Sequence, residues 1–198
     1  MGGANHLAQF IYRSLMSLPR LLHLHLQLAH VPVQVQVKQS LFSTMSQSFS
    51  IREYRSEDFD AVTILWRISR EKSLPDFQIQ KGHFFYEDQN YFRDHVLPNN
   101  QVWIAEMDGR PVGMMAMSNE FVDQLYIHPD YQRRGIGEAF IDFARQRSPE
   151  HVWLYTLQIN VNARAFYEKH GFIAEKFGMS PPPENEPDVE YHWRKQQS

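Results

Sequence analysis

The segment from Leu125 to Gln146, LYIHPDYQRRGIGEAFIDFARQ, sets an apolar run, His-Pro-Asp, Gln-Arg-Arg and Gly-Ile-Gly directly ahead of a helical pattern. The first N–H groups of a helix have no internal partner, and the helix dipole adds positive potential there. Gly135 and Gly137 remove side-chain bulk while Arg133 and Arg134 add charge, which suits the oxygens of a phosphate or pyrophosphate. Two glycines are also an ordinary way to turn from strand to helix, so this loop by itself leaves both readings open. A P-loop is excluded, because no Gly-Lys-Ser/Thr tripeptide occurs. The dinucleotide fingerprint fails as well, because Phe140 stands where its third glycine belongs. A second segment, NVNARAFYEKHGF, places Asn160, Ala163, Phe166, Tyr167, Gly171 and Phe172 at fixed spacing on a further helix and its exit.

The elements that must position these residues follow from periodicity. FSIREY alternates as a short strand; Ser56 with Asp58 reads as a capped start to FDAVTILWRIS, whose apolar residues recur at helical spacing. GHFFYEDQNYFRDHVL is a second helical stretch, rich in aromatic residues. QVWIAEM and VGMMAMS flank an Asp-Gly turn and form a hairpin, and FVDQLYI adds a third strand. GEAFIDFARQ carries Ala139, Phe140, Phe143 and Ala144 on one helix face. Strand HVWLYTLQI, helix NARAFYEKH closed by Gly171, and strands FIAEKFG and DVEYHW complete the order β, α, α, β, β, β, α, β, α, β, β. That order is of the α/β (α+β) class and predicts one mixed sheet with helices on both faces.

The chain has 198 residues, 42% of them hydrophobic, which supports one well-cored domain. A net charge of −3 gives no basic footprint for nucleic acid, and no run is apolar and long enough for a membrane span. The absence of cysteine excludes a disulfide framework, a thiolate metal site and a cysteine nucleophile. Before Met45 the charged residues are Arg13, Arg20 and Lys38 with no acid, a +3 segment that leaves −6 on the remainder. Such a break separates an N-terminal extension, residues 1–47, from a domain at 48–198. The extension reads as a dispensable, largely disordered tail, as a mitochondrial-type targeting segment, or as an ordered hairpin. The first is preferred, with a cytoplasmic location; the second carries the mitochondrial alternative. His23, His25 and His30 lack accompanying carboxylates and are not read as a metal site.

Taken together, QRRGIG and NVNARAFYEKHGF resemble the GNAT superfamily of N-acetyltransferases, in its small bacterial-type members. They match its Gln/Arg-x-x-Gly-x-Gly/Ala loop and its Asn-x-x-Ala-x-x-Phe-Tyr-x-x-x-Gly-Phe segment in full, over a domain of roughly 48–195 with the right element order. The resemblance implies the GNAT fold, a central mixed, mostly antiparallel, splayed sheet. It implies acetyl-CoA as co-substrate, no metal, and direct attack by an amine in a ternary complex. The pyrophosphate would rest on the loop from Gln132 through Arg133, Arg134, Gly135, Ile136 and Gly137 to Glu138. The pantetheine arm would pair like a strand with Leu125, Tyr126 and Ile127, and an N–H at or near Ile127 would polarise the thioester carbonyl. Asn160 and Phe166 would contact the cofactor arm, and Tyr167 would be the general acid that protonates the departing thiolate. Members of the superfamily are often dimers, so a homodimer is admitted.

The base is less determined. Glu120 and Asp123 are the candidates beside the loop-proximal strand, with His128 after it; strict alternation puts Asp123 with Leu125 and Ile127, on the face away from Gln124 and Tyr126. Acceptor contacts are expected from Phe84, Phe85, Tyr86 and Tyr91, or these simply pack a helix on the sheet. In PPPENEPDVEYHW, the acids Glu184, Glu186 and Asp188 would attract a cationic amine or, as the preferred reading, form a solvated acidic loop. The body's charge favours a small basic acceptor. Open beside it stand acetylation of protein N-termini or lysines, and a catalytically idle acyl-CoA sensor on the same fold.

Overall fold

A computed structural model of the chain describes residues 48–75, 84–181 and 185–196. The N-terminal extension with His23, His25 and His30, the Gly82-His83 start of the aromatic helix and Glu184 lie outside the described residues. Strand β1 (Ser50–Glu53) leads through a single turn of 3₁₀-helix (Ser56–Asp58) into helix α1 (Phe59–Ser73). Helix α2 (Phe85–Tyr91) widens into a π-helical segment at Phe92–Val96 and closes at Leu97–Asn99. There follow β2 (Gln101–Met107), β3 (Arg110–Ser118), β4 (Phe121–Ile127), α3 (Ile136–Arg147), β5 (His151–Leu157), α4 (Val161–Lys169), β6 (Ile173–Met179) and β7 (Pro187–Arg194). The strands form one sheet in the order β1-β2-β3-β4-β5-β7-β6, antiparallel except where β4 meets β5. Element order and sheet type agree with the expectation from sequence.

Two apolar clusters hold the layers. On one face α1 and α2 bring Val62, Leu65, Trp66 and Phe92 onto Val102, Ile104, Met114 and Ala116 of the sheet. On the other face α3 and α4 bring Ile136, Phe140, Ile141 and Tyr167 onto residues of β2 to β5 and β7. On β5 and β7, Val152, Leu154, Val189 and Tyr191 belong to that second cluster. Their alternates, among them Trp153, Tyr155, Asp188, Glu190 and His192, therefore face the side of α1 and α2.

Of the Ser56 and Asp58 expected to cap the start of α1, the structure uses Asp58. Asp58 is the residue that closes this turn, accepting the Arg55 N–H at 2.8 Å and two Arg52 guanidinium hydrogen bonds at 2.7 and 2.8 Å. Arg52 also donates to Glu106 at 2.7 Å, so one guanidinium ties β1, the turn and β2. A charged donor fork attracts the carboxylate more strongly than a lone hydroxyl cap would be held. Arg52 holds the Asp58 carboxyl below its ordinary range. Because that folded-state pKa is depressed, the contribution is present above the unfolded value and is lost as pH falls through the folded one.

Phe140 is fully buried where α3 meets the sheet. Phe140→Ala should lower unfolding free energy by about 3–5 kcal/mol in a denaturant titration, and an unchanged midpoint would contradict this packing.

Candidate active site

β4 and β5 pair in parallel at Phe121–Trp153 and Val122–Leu154 among the described residues, and then diverge. By ladder alternation, the His128 N–H bonded to Val112 on β3 implies that Tyr126 also turns its backbone groups to β3. Leu125 then directs its N–H and C=O into the gap; Ile127 directs its N–H there, while its carbonyl accepts from Ser69 Oγ at 3.1 Å and from the Gln132 side chain. The gap opens into a cleft of about 940 Å³ walled by α1, α2, β4, the start of α4 and the ends of β5, β6 and β7.

Of the residues singled out in the sequence, Asp123, Leu125, Tyr126, Asn160 and Tyr167 line this cleft. Tyr167 is 7% exposed and packs edge-on against Phe166 and Phe172. Burial, and next the neighbouring Tyr126, raises its phenol above the ordinary value of 10.0, which disfavours the phenolate. The Asn160 side-chain oxygen accepts the Ala163 N–H at 3.1 Å and caps α4, so it positions the helix that carries Tyr167.

The glycine loop adopts the conformation its residues permit. Gly135 is the residue before α3 with φ +84°, and among the described residues no side chain is bonded to the first N–H groups of Ile136, Gly137 and Glu138. Gly137 lies against the Phe166 ring: an added Cβ would stand 3.1 Å from its tip. That contact brings the starts of α3 and α4 together. The Ile136 side chain is buried, so this residue offers the loop its backbone alone. Gln132 donates to the Ile127 carbonyl at 3.2 Å and braces the loop. The Arg134 guanidinium lies 5.0 Å over the Tyr131 ring, and Arg133 is exposed with φ +60°.

Other candidates are not brought to the cleft. Glu120 is hydrogen-bonded to His151 Nδ1 at 2.8 Å, outside the cleft lining. His128 Nδ1 accepts the Asp130 N–H. Phe84 and Tyr86 are exposed and stack on each other at 5.7 Å, and Phe85 also lies off the lining; from that helix the cleft takes Glu87, Asp88 and Tyr91.

The alternation assigned to β4 is corrected at Asp123. The register steps from Ala116 opposite Gln124 to Met117 opposite Val122, leaving Asp123 as a bulge. Val122 therefore packs with Leu125 and Ile127 in the cluster under α3, while Asp123 turns to Asn100, which donates to it at 3.0 Å. Burial pushes the Asp123 carboxyl above its ordinary range, against hydrogen bonds from Gln124 and Asn100. Asp188, expected in a solvated loop, is a buried residue of β7 facing the cleft. Sequence reasoning did not name Trp66, Arg70, Tyr155 or Lys176, which complete the walls. Arg70 carried a usable signal: with Arg67 it makes an i, i+3 pair on α1, and both bind Asp88, at 3.1 and 2.7 Å.

Residues 98–174 match the family model described as Acetyltransferase (GNAT) domain. The chain is 32% identical over 123 residues to the peptidyl-lysine N-acetyltransferase YiaC of Escherichia coli (strain K12), covering 62% of this chain and 82% of that relative. The solution structure of apo-form YjaB from Escherichia coli has a TM-score of 0.63 at 24% identity, over 73% of this chain and 97% of that one. The PaiA N-acetyltransferase from Thermoplasma acidophilum in complex with coenzyme A gives 0.55 at 17% identity, over 75% and 99%. These two structural likenesses concern the fold. Fold and relatives together define an acyltransferase. The chain belongs to the GNAT family of N-acetyltransferases.

Gly135→Ala puts a side chain at φ +84° and should lower stability by about 1–2 kcal/mol in a urea titration. A neutral result would mean that the turn relaxes out of the left-handed region.

Proposed function

We propose that this N-acetyltransferase moves an acetyl group from acetyl-CoA to the ε-amine of a lysine by direct attack, without an acyl-enzyme. The observation that carries the reading is the meeting, in one cleft, of the unpaired edge of β4 with the buried, protonated Tyr167. The acceptor class is supported by the name of YiaC, a peptidyl-lysine N-acetyltransferase, and departs from the small amine anticipated from net charge.

Each residue has a physical task in that reaction. The uncapped N–H groups of Ile136 to Glu138 receive pyrophosphate oxygens, with Arg133 and Arg134 adding charge. Leu125, through its N–H and C=O, and Ile127, through its N–H, pair with the amides of the pantetheine arm, as an added strand would. An N–H on the same edge holds the charge that develops on the thioester oxygen. Phe166, wedged against Gly137, and Asn160, at the start of α4, flank the arm. Tyr167 donates its proton to the leaving thiolate.

The test is thiol release from acetyl-CoA by the full chain with a lysine-bearing peptide, beside calorimetric titration of acetyl-CoA. Tyr167→Phe should lower kcat by about 10²–10⁴-fold while leaving acetyl-CoA affinity within about twofold. Equal turnover in both proteins would remove Tyr167 from the reaction. Binding without peptide-dependent thiol release would overturn the lysine reading.

A further inference from the structure

An alkylammonium group must lose a proton before its nitrogen can attack, and the cleft must supply a place for that charge and that proton. Four carboxylates line the cleft among the described residues: Glu87, Asp88, Asp123 and Asp188. Three are committed elsewhere. Glu87 accepts the Phe84 N–H at 2.7 Å at the start of α2. Asp88 is bound by Arg67 and Arg70. Asp123 holds Asn100.

Asp188 differs from all three. It is 7% exposed, and among the described residues its carboxylate meets no hydrogen-bond donor and no cation. The nearby donors are turned to another acid: Tyr155 donates to Glu190 at 2.7 Å, and Lys176 lies 3.8 Å from the same side chain. A carboxylate on the cleft wall with no donor of its own among the described residues is free to pair with a cation that arrives with substrate. A mostly buried acidic residue that keeps its carboxylate unpaired at the cleft wall thus points to a ligand of positive charge.

Its backbone is fixed. Gln158 donates its side-chain amide to the Asp188 carbonyl at 3.1 Å and its N–H to the Pro187 carbonyl at 2.8 Å. Across the sheet, Asp188 sits opposite Leu157 on one side and Gly178 on the other. Oδ1 lies 2.9 Å from the position a Cβ on Gly178 would take, so the missing side chain is the room the carboxylate occupies. Leu157 is the last residue of β5, and the following turn leads to Asn160 and the helix bearing Tyr167. Asp188 and the phenol therefore face one cleft from neighbouring elements.

We propose that Asp188 receives the acceptor's ammonium group and takes its first proton; this rests on the lysine acetylation reading above. The ammonium gives one proton to the carboxylate and becomes a neutral amine. The nitrogen–carbon bond forms at the thioester carbonyl, the carbon–sulfur bond breaks, and the thiolate takes the Tyr167 proton. The second proton on nitrogen returns to the Tyr167 oxygen, and Asp188 releases its own to solvent. Atoms and charge balance without any further reactant.

The experiment compares a fluorescent lysine peptide with the same peptide carrying norleucine, using anisotropy for binding and thiol release for turnover. The wild-type chain should prefer lysine by about tenfold or more. Asp188→Asn should abolish that preference and lower kcat/KM by about 100-fold or more, with melting temperature and acetyl-CoA affinity unchanged. Gly178→Ala, which displaces the carboxylate without removing it, should weaken the preference in the same direction, and it decides the matter if Asp188→Asn does not fold. Lysine preference and turnover that survive both substitutions would overturn the role of Asp188 and leave lysine acetylation standing. A wild-type chain that binds acetyl-CoA but acetylates no lysine peptide would overturn both.

Discussion

Parallel strands stay together while their backbone groups pair, and β4 and β5 stop pairing after two positions. Backbone N–H and C=O groups must be satisfied by something, so the loop-proximal half of β4 enters the cleft as an unfinished strand edge. The other features of the site depend on that divergence. The gap gives the cleft its depth, and it lets side chains from both halves of the sheet line one space. It also leads from the end of β4 directly to the loop before α3, so a long ligand can lie along the edge and reach the helix terminus.

The helices around the gap are held by packing and by side-chain hydrogen bonds such as Tyr191 to Glu168 and Ser69 to the Ile127 carbonyl. Ile136 and Phe140 seat α3 in the main apolar cluster, and Gly137 against Phe166 fixes how closely the starts of α3 and α4 approach. The same cluster buries Tyr167 and raises its phenol further above neutral pH. The contacts that stabilise the domain thus also disfavour the phenolate form of Tyr167. On the opposite face, α1 and α2 cover β2 to β4, while the alternates of β5 and β7 form a polar and aromatic surface. There His151 and His192 stack at 5.1 Å between Glu120 and Glu190.

Much of this architecture was legible in the residues. Element order and the left-handed glycine before α3 follow from local periodicity and local sterics, which act over a few residues. The helix cap that Asn160 makes is equally local, yet the sequence motif assigns Asn160 to the cofactor arm alone. What escaped depends on contacts distant in sequence. The Arg52–Asp58–Glu106 set displaced the Ser56 cap through a partner on β2. The bulge at Asp123 comes from the register between two strands, and an alternation rule cannot contain it. Asp188 looked solvated because prolines and acids surround it in sequence, yet the strand begins one residue earlier, at Pro187. Phe84 and Tyr86 looked like pocket residues because they are aromatic, but helical phase carries Tyr91 to the cleft and leaves them outside.

The central claim is that the diverging edge of β4 and the start of α3 receive acetyl-CoA together. Amide hydrogen exchange on the full chain, with and without saturating acetyl-CoA, tests it most directly. Protection should rise at Leu125 and Ile127 and at Ile136 to Glu138, with little change at Tyr126, whose N–H already pairs with β3. Protection confined to other segments, or acetyl-CoA binding that leaves Leu125 and Ile127 exchanging as freely as before, would contradict the account.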